Sequence, residues 1–543
     1  MDDGSGETNM GRTVTAPDEL LPTAATRDGR QNIDSRLIFP KAETDRPFHV
    51  RASDRSLNVS LITEGTYPFH DGGVSVWCDQ IVRGMAPDRF RIDAITAGLD
   101  DTACWMFPEN VVEVRRIPLW GPPVRRRPTL RLDPSIRQAL EPFLLSIATD
   151  DADDAFRPSL ESLAGHARDG GLTRALCSNE AVEMTLQAMR ATPVARRLAD
   201  GASAPAPTIA DGTSALSLLD HLLQPLTVAP PEVDLCHASS NGLSALVAMS
   251  AKWAYGTPFL LTEHGVYLRE RYMEYAPGTM PQARRAFLLG FYKRLTLAAY
   301  DMADAIAPGS DYNRRWQQAN GADVDKIEPI HNGIDLNEFA STPANVEHPT
   351  LVWVGRIDPL KDVKTMLRAF ARVRTAIPNA LLRIYGGTPP GNEGYLRECL
   401  DLRDELGLGE SASFEGRVRS ISDAYLSGDV VVATSISEGF PYAVLEGMAS
   451  GRAMIATDVG GVSEAIDDTG IMVPPQDEIS LANACTELLR NGRLRAQLAS
   501  RGRERVRSRF MVELTLERHG ELYDDLVDAA RESAGSPLTK VQA

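Results

Sequence analysis

Residues 430–461 read VVVATSISEGFPYAVLEGMASGRAMIATDVGG, and the rest of the chain is interpreted from this segment. A β-branched run, a turn, a short apolar helix and a second β-rich run follow one another with almost no spare residues, which predicts a strand, a helix and a strand. The turn at residues 437–440 precedes Pro441, and proline is favoured at the first helical position. A helix that begins there presents free N–H groups and a partial positive charge, which attract phosphate or sugar hydroxyls.

Two carboxylates lie on this stretch. Glu438 is in the turn, and Glu446 lies five residues beyond Pro441, about 7–8 Å along a helix. Alternatively, Glu438 caps the helix and Glu446 lies on a solvated face, the usual place of charged side chains. The segment EGFPYAVLE, followed by DVGGVSEAI at residues 458–466, resembles the E(x7)E motif of retaining nucleotide-sugar glycosyltransferases of family 4, which have the two-domain GT-B fold.

Composition limits the possible functions. The 543 residues are too many for one ordinary domain. A content of 43% hydrophobic and 24% charged residues is typical of a soluble globular protein, and the net charge of −17 argues against a nucleic-acid partner. The six cysteines form no CxxC pair, and no apolar run or signal-peptide pattern is present, so we expect reduced thiols and a cytoplasmic protein.

Alternating strands and helices predict an α/β fold with doubly wound parallel sheets. The resemblance, which covers roughly residues 57–520, implies GT-B: two Rossmann-like domains that face each other across a cleft, with a helical insertion in the first. The expected segments are a disordered extension at 1–54, a first domain at 55–325 with its insertion at about 120–230, a second domain at 326–510, and a C-terminal helix returning to the first domain with a frayed tail at 511–543.

The first domain opens with the buried-strand pattern LNVSLITEG, a Gly72-Gly73 turn and a helix. Glycines in such a turn let backbone N–H groups approach a phosphate. The turn lacks the GxGxxG pattern, which disfavours a nicotinamide dehydrogenase. The segment TEGTYPFHDGGVSVW resembles the opening of the PelF branch of family 4. The resemblance implies a functional role for Glu64, Gly72 and Gly73, whereas the positions of His70 and Asp71 are expected to vary within the branch.

Two histidines, His237 and His264, fall at the ends of apolar strands, and open α/β sheets bind ligands at those ends. A hydrogen-bonded structural role is the alternative for either one. The phrase Thr-Glu-His-Gly around His264 resembles the T-x-H-G turn of the family beside the donor, so we favour His264 as the group that positions or polarises the donor. Residues 269–271, Arg-Glu-Arg, are candidate acceptor or phosphate contacts, and Ser310 lies near the end of the next strand.

Cations in the second domain are predicted to replace a metal ion. In GRIDPLKDVKT, Arg356 ends a strand and Lys361 stands at the mouth of a helix, so both can neutralise charge on a leaving diphosphate. Surface ion pairs are the alternative. The acidic run at 150–154 has a DxD spacing but no preceding strand, so no metal and no cofactor is expected. The NGID turn at residues 332–335 resembles the segment between the two domains of the family.

The family resemblance implies the remaining roles. Glu446 binds the ribose, Glu438 lies by the donor sugar, and the N–H groups of Gly439 and Phe440 face the sugar or diphosphate. The backbone at Arg417 and Val418 holds the base. Retention of the anomeric configuration implies that the acceptor attacks the sugar from the face that the leaving group departs from. The leaving phosphate then takes the acceptor's proton. The residues expected to act in catalysis are His264, Arg356, Lys361 and Glu438.

The resemblance therefore implies a retaining hexosyltransferase that uses UDP-glucose or a UDP-N-acetylhexosamine and acts on a growing polysaccharide, as in Pel exopolysaccharide synthesis. Its expected partners are inner-membrane polysaccharide export proteins, which would place it at the inner face of the membrane. One alternative is a family 4 enzyme with another acceptor, glycogen-synthase-like or sucrose-type. Another is a non-catalytic nucleotide-sugar-binding scaffold, which predicts lost donor residues, whereas Arg356, Lys361, Glu438 and Glu446 are all present.

Overall fold

The computed structural model of the chain describes residues 55–99, 102–121, 132–149, 155–191, 206–275, 278, 280–339, 341 and 346–535. The extension predicted to be disordered, residues 1–54, and the acidic run at 150–154 lie outside the described residues, as does the end of the tail from 536 onwards.

The first domain is built on a parallel sheet of six strands with the order β3-β2-β1-β4-β5-β6. The strands are β1 Asn58–Glu64, β2 Arg89–Thr96, β3 Val111–Pro118, β4 Leu235–Ala238, β5 Phe259–Leu261 and β6 Ala305–Ile306. Its helices are α1 Gly73–Gly84, α2 Pro134–Ala148, α3 Phe156–Ala167, α4 Gly171–Leu176, α5 Asn179–Ala191, α6 Ile209–Leu222, α7 Leu243–Tyr255, α8 Tyr267–Glu274, α9 Gln282–Met302 and α10 Asp311–Ala319. Helices α2 to α6 lie between β3 and β4, where the sequence predicts the insertion.

The second domain has a parallel sheet of the order β12-β11-β10-β7-β8-β9. Its strands are β7 Thr350–Val354, β8 Leu381–Tyr385, β9 Ala412–Gly416, β10 Val430–Ala433, β11 Ala453–Thr457 and β12 Ile471–Val473. The helices that follow are α11 Val363–Ala376, α12 Glu393–Glu405, α13 Ile421–Leu426, α14 Tyr442–Ala449, α15 Val462–Ile466, α16 Glu478–Arg490, α17 Gly492–Arg509 and α18 Val512–Gly535. Short 3-10 turns lie at Gln224–Thr227, Val324–Lys326, Leu336–Glu338, Pro359–Lys361 and Gly409–Ser411.

Each sheet is buried on both faces, as apolar runs in parallel strands require. In β1, Leu61 packs with α1 and α18 on one face, while the next residue, Ile62, packs with the insertion on the other, because successive side chains point to opposite faces. In β7, Leu351 faces α11 and Val352 faces α14 in the same way.

Both sheets have the same strand order when each is counted from its own first strand, the doubly wound order 3-2-1-4-5-6. The order reverses between β1 and β4 in the first domain and between β7 and β10 in the second. Ligands of such sheets bind in the crevice at the carboxyl ends of the strands at this reversal. The predicted α/β architecture of two doubly wound domains is confirmed.

The last helix, α18, packs on the first domain. Leu516 is 1% exposed and lies so close to Gly84 of α1 that a Cβ on that glycine would be 2.2 Å from a Leu516 methyl carbon. The hydroxyl of Tyr523 is hydrogen-bonded to His237 Nδ1 at 2.7 Å. No helix in the described part of the chain combines the length and the apolar character needed to cross a bilayer.

Replacing Leu516 tests the docking of α18. Leu516→Ala removes a buried side chain from the contact with α1 and should lower the free energy of unfolding by about 2–5 kcal/mol. Leu514→Ala is the matched control, because Leu514 lies on the same helix and is 40% exposed; it should change that free energy by less than about 0.5 kcal/mol. Urea unfolding followed by fluorescence measures both, and equal losses would contradict the packing described.

Candidate active site between the two domains

The loops after β7 and β10 meet at the strand reversal of the second domain. Lys361 Nζ donates a hydrogen bond to Glu438 Oε1, and Ser435 Oγ donates to the same oxygen at 2.6 Å. Thr434 Oγ1 donates to the Lys361 carbonyl at 2.7 Å, which fixes the backbone beneath the lysine. The side chains of Lys361 and Glu438 are 25% and 15% exposed, so the pair is partly withdrawn from water and is screened less than a surface pair.

The position of Lys361 follows from a sharp turn in the chain. Asp362 has a φ of +47°, and its side chain accepts a hydrogen bond from the Thr365 N–H at 3.3 Å as the N-cap of α11. Asp tolerates this left-handed conformation better than most residues. Lys361 therefore ends a 3-10 turn immediately before the capping residue.

Helix α14 begins one residue later than predicted. Pro441 is the N-cap, and Tyr442 is the first helical residue. The N–H groups of Gly439 and Phe440 donate no hydrogen bond to any other described residue. Unpaired N–H groups just before a helix start form a site for an anion.

The turn at residues 438–440 is held on two sides by main-chain contacts. A Cβ on Gly439 would be 1.8 Å from the carbonyl oxygen of His264, in the first domain. On the other side, a Cβ on Gly460 would be 1.8 Å from the Glu438 carbonyl oxygen, and Gly460 also has a φ of +58°. The Gly461 N–H donates to the Gly439 carbonyl at 2.9 Å. These contacts give the DVGG segment a physical role as the support of the turn.

Arg356 is an exposed side chain two residues after the last residue of β7, so the prediction that it ends the strand was wrong. The backbone leaves the sheet at Gly355, and the Ile357 N–H donates to the Gly387 carbonyl at 2.9 Å. Among the described residues the guanidinium of Arg356 has no ion-pair partner, in contrast to Lys361. Arg356 lies at the carboxyl edge of the sheet, where an anion can reach it.

Glu446 and Glu438 have different hydrogen-bond partners. Glu446 Oε2 accepts a hydrogen bond from the Tyr425 hydroxyl at 2.6 Å. Burial raises the pKa of Glu446, the Tyr425 hydrogen bond acts in the opposite direction, and Glu338 adds to the increase. Tyr425 lies on α13 and is completely buried, and nothing in the sequence around it predicts this contact.

The Gly-Gly turn of the first domain faces α14. A Cβ on Gly73 would be 3.1 Å from the Tyr442 ring, and the Tyr442 hydroxyl donates to Gln80 Oε1 at 3.1 Å. The starts of α1 and α14 therefore lie close together. Nothing lies within 4 Å of a Cβ on Gly72, so packing does not account for a glycine at that position.

Arg417 and Val418 follow β9 at the same carboxyl edge. Arg417 Nη1 forms an ion pair with Asp71 Oδ2 of the first-domain loop at 2.9 Å. The two side chains are 70% and 54% exposed, so the pair contributes little to stability, although it spans the two domains. Val418 is 39% exposed.

The His264 imidazole lies beside Trp77, with ring centroids 4.6 Å apart. Its Nε2 has no partner among the described residues. Burial lowers the pKa of His264 to about 3, and the nearby His519 adds to the decrease. The ring is therefore neutral at physiological pH, which suits positioning a ligand better than supplying charge.

His237, the other histidine at a strand end, is fully buried and satisfied. Its Nδ1 is hydrogen-bonded to Tyr523 and its Nε2 to Thr262 Oγ1, both at 2.7 Å. This is the structural alternative that the sequence left open.

Sequence reasoning missed most of the contacts that join the domains. Arg269 Nη1 donates to Ser437 Oγ at 3.0 Å, and Asn332 Nδ2 donates to the Phe440 carbonyl at 3.3 Å. Glu464 accepts from the Asp311 and Tyr312 N–H groups at 2.8 and 2.7 Å, so a carboxylate of the second domain binds the start of α10. Ser310 is the N-cap of the same helix.

No three His, Cys, Asp or Glu side chains are grouped as metal ligands in the part of the chain that the structure describes. The expectation that no metal is needed stays a prediction.

Two family models match the chain, one in each domain. Residues 57–325 match a model described as a domain of unknown function, DUF3492, and residues 348–491 match glycosyl transferases group 1. The second match covers the part of the sequence that contains Arg356, Lys361, Glu438 and Glu446.

Similar proteins include D-inositol 3-phosphate glycosyltransferases. The Nocardia farcinica protein is 31% identical to this chain over 34% of this chain and 44% of its own length. The Saccharomonospora viridis protein is 27% identical over 56% of this chain and 73% of its own length. The chain thus spans less than half of the first relative and about three quarters of the second.

Solved structures with the same architecture include sucrose-phosphate synthase from Thermosynechococcus elongatus, with a TM-score of 0.57 and 20% identity, over 87% of this chain and 99% of that one. Anabaena HepE in complex with UDP has a TM-score of 0.55 and 15% identity, and the match covers 86% of this chain and 99% of HepE. These likenesses confirm the GT-B fold.

The buried histidines predict acid sensitivity. Burial lowers the pKa of His519 to about 4, below its unfolded value of about 6.5, so its contribution to stability is complete above about pH 6.5 and is lost as the pH falls. Between pH 7.5 and 5.5 the parent chain should lose about 1.4 kcal/mol more of its free energy of unfolding than His519→Phe does. Urea unfolding at the two pH values measures the difference, and parallel losses would contradict a neutral buried ring.

Proposed function

We propose that this chain, a GT-B glycosyltransferase with a group 1 second domain, moves a hexosyl unit from a UDP-sugar to a growing polysaccharide. One observation carries the proposal. At the strand reversal of the second domain, the structure combines a partly buried Lys361–Glu438 pair, the unpaired N–H groups of Gly439 and Phe440, and the start of α14. Such a site suits a diphosphate with a sugar beside it.

The residues of the second domain have complementary tasks in the transfer step. The bond between C1 of the sugar and the β-phosphate oxygen breaks, the acceptor oxygen bonds to C1 on the same face, and the hydroxyl proton passes to the leaving phosphate. Lys361, Arg356 and the turn N–H groups stabilise the charge that develops on the diphosphate. Glu438, oriented by Ser435, accepts hydrogen bonds from hydroxyls of the sugar. Because these groups supply the positive charge, the proposed reaction needs no metal.

The nucleoside extends from the diphosphate towards β9. Glu446, held by Tyr425, binds the ribose hydroxyls, and the backbone at Arg417 and Val418 holds the base. His264, neutral and in main-chain contact with Gly439, positions the donor from the first domain. Gly72 and Gly73 border the same space at the start of α1.

The acceptor belongs to the first domain, which matches a model of its own rather than a described transferase. The loop with Glu64 and the Gly-Gly turn resembles the PelF branch, which supports a polysaccharide acceptor in exopolysaccharide synthesis and export proteins of the inner membrane as partners. The names of the relatives support another acceptor, inositol 3-phosphate. The chain contains Arg356, Lys361, Glu438 and Glu446, and their presence favours an enzyme over a non-catalytic scaffold.

Binding of nucleotides tests the donor site. Titration calorimetry with UDP, GDP and ADP, in the presence of EDTA, should show the tightest binding for UDP. Arg356→Ala and Glu446→Ala each remove a charged hydrogen-bonding group and should weaken UDP binding by about 10- to 100-fold, equivalent to about 1.5–3 kcal/mol.

Matched controls exist on the same domain. Arg368→Ala and Glu405→Ala replace exposed residues of α11 and α12 and should leave UDP affinity within about twofold of the parent, as expected for surface positions. Failure of the parent chain to bind any of the three nucleotides would overturn the proposed donor site, and binding that appears only when EDTA is replaced by a divalent cation would overturn metal independence.

A further inference from the structure

Asn313 is a buried polar residue in the first turn of α10. It is 1% exposed, and its backbone N–H donates to Oγ of Ser310, the N-cap of the helix, at 3.2 Å. Its side-chain nitrogen donates to the carbonyl oxygens of Glu263 and His264 at 3.2 and 3.0 Å. A side-chain amide nitrogen carries two hydrogens, and these two carbonyl groups take both of them. No hydrogen of this amide is left for a ligand.

The same amide lies against the turn at residues 438–440, which the proposed function assigns to the donor and which we call the donor turn. A Cβ on Gly439 would be 1.8 Å from the His264 carbonyl oxygen and 3.5 Å from Asn313 Nδ2. The side chain that holds the His264 carbonyl is therefore close to the glycine that this carbonyl touches. Any effect of Asn313 on a bound donor passes through these main-chain atoms.

The second domain holds the start of α10. Glu464 of α15 accepts hydrogen bonds from the N–H groups of Asp311 and Tyr312 at 2.8 and 2.7 Å. A carboxylate at a helix start is also stabilised by the partial positive charge of the helix. The start of α10 is thus attached to the domain that carries the donor turn, and the next residue, Asn313, connects it to the segment that carries His264.

Gln317 lies one turn beyond Asn313 on the same side of α10. Its side-chain nitrogen donates to Glu263 Oε2 at 2.9 Å, and the Tyr300 hydroxyl donates to the same oxygen at 2.8 Å. These two bonds hold the Glu263 carboxylate inside the first domain. They involve neither the His264 carbonyl nor the donor turn, so Gln317 and Asn313 hold different parts of the same segment.

Small displacements of the donor turn would matter for the transfer step. The N–H groups of Gly439 and Phe440 donate no hydrogen bond to any other described residue, and in the proposed site they face the diphosphate. Hydrogen bonds to developing charge weaken quickly when the donor is misplaced. The His264 imidazole belongs to the residue whose carbonyl Asn313 holds, so one set of bonds locates both the ring and the turn.

We propose that Asn313 is a positioning residue of the sugar transfer: by holding the His264 carbonyl against Gly439, it directs the N–H groups of the donor turn towards the diphosphate. It contacts neither the donor nor the acceptor. The inference rests on the proposed function, because it takes the donor turn to be the place where the diphosphate binds. A side chain of the same shape that cannot donate should therefore weaken binding of a nucleoside diphosphate.

Asn313→Asp makes this change, because it keeps the shape of the side chain and replaces the donating nitrogen by an oxygen. An ionised carboxylate repels the two carbonyl oxygens, whereas a protonated carboxyl group can donate its O–H to one of them. Burial favours the protonated form, and it raises the pKa of the neighbouring Glu263 to about 7. The variant should therefore lack the contact at pH 8.5 and regain part of it at pH 6.0.

Titration calorimetry of the full chain with UDP, at pH 8.5 and 6.0 and with EDTA present, measures the effect. Asn313→Asp should weaken UDP binding by about tenfold or more at pH 8.5 and by less than about threefold at pH 6.0. The ratio of variant to parent affinity removes the titration of the nucleotide and of shared groups such as Glu263, His264 and Glu464. A role in packing alone would give the same ratio at both pH values.

Gln317→Glu is the matched control. It makes the same change from amide to carboxyl on the same side of α10, beside the Glu263 carboxylate and not at the His264 carbonyl. Both variants bury a carboxylate, so both should lower the free energy of unfolding at pH 8.5, which urea unfolding measures. Only Asn313→Asp should lose affinity for UDP, whereas Gln317→Glu should stay within about twofold of the parent at both pH values.

Asn313→Ala adds no charge and decides the test if Asn313→Asp is unfolded at pH 8.5. It removes the hydrogen bond to the His264 carbonyl and should weaken UDP binding by about three- to tenfold at both pH values. An affinity within about twofold of the parent would overturn the inference.

The remaining outcomes separate this inference from the proposed function. If the parent binds UDP and the affinity ratio of Asn313→Asp is the same at both pH values, the inference is overturned and the donor site stands. The same holds if Gln317→Glu loses as much affinity for UDP as Asn313→Asp does. Failure of the parent to bind UDP would overturn the proposed function and this inference with it.

Discussion

The cleft depends on a contact between main-chain atoms: Gly439 of the second domain lies against the carbonyl oxygen of His264 in the first. No side chain larger than a hydrogen atom fits between them. Gly460 meets the neighbouring Glu438 carbonyl from the other side, so the turn is confined by backbone on both faces. Atoms of both domains therefore define the position of the turn.

Electrostatics around the turn follows from this confinement. Lys361 and Glu438 form a pair with limited exposure, and Ser435 fixes the carboxylate. The hydrogen bonds of Lys361 and Ser435 to the same Glu438 oxygen hold the lysine and the carboxylate in fixed positions at the carboxyl edge of the sheet. Arg356 is exposed and has no ion-pair partner among the described residues. The protein as a whole carries a net charge of −17, so an anionic ligand of this site would be attracted by these local cations and not by the general surface.

The fold could be predicted from the sequence because its signals are local. The β-branched runs, the Gly-Gly turn and the alternation of strands with helices are each contained in short windows. The carboxylates and cations of the proposed donor site could be named from the sequence because they stand in short motifs that resemble those of family 4. The contacts that orient them could not. Tyr425 is 21 residues from Glu446, and Glu464 is more than 150 from the helix start that it binds. No pattern of propensity or spacing reports such pairs, which only the packed domains bring together. The position of Arg356 relative to its strand was also missed, since strand ends are set by pairing with neighbours.

The carboxylates of the proposed donor site in the second domain already have hydrogen-bond partners. In the second domain Glu446 has its tyrosine and Glu438 has its lysine and serine, so the site is organised before any ligand arrives. In the first domain Glu64, Tyr267 and Arg271 retain unpaired buried atoms at the corresponding reversal of the sheet. A site with satisfied groups binds by exchanging partners and tolerates small changes in its ligand. A site with unsatisfied groups gains most from a ligand that matches every one of them.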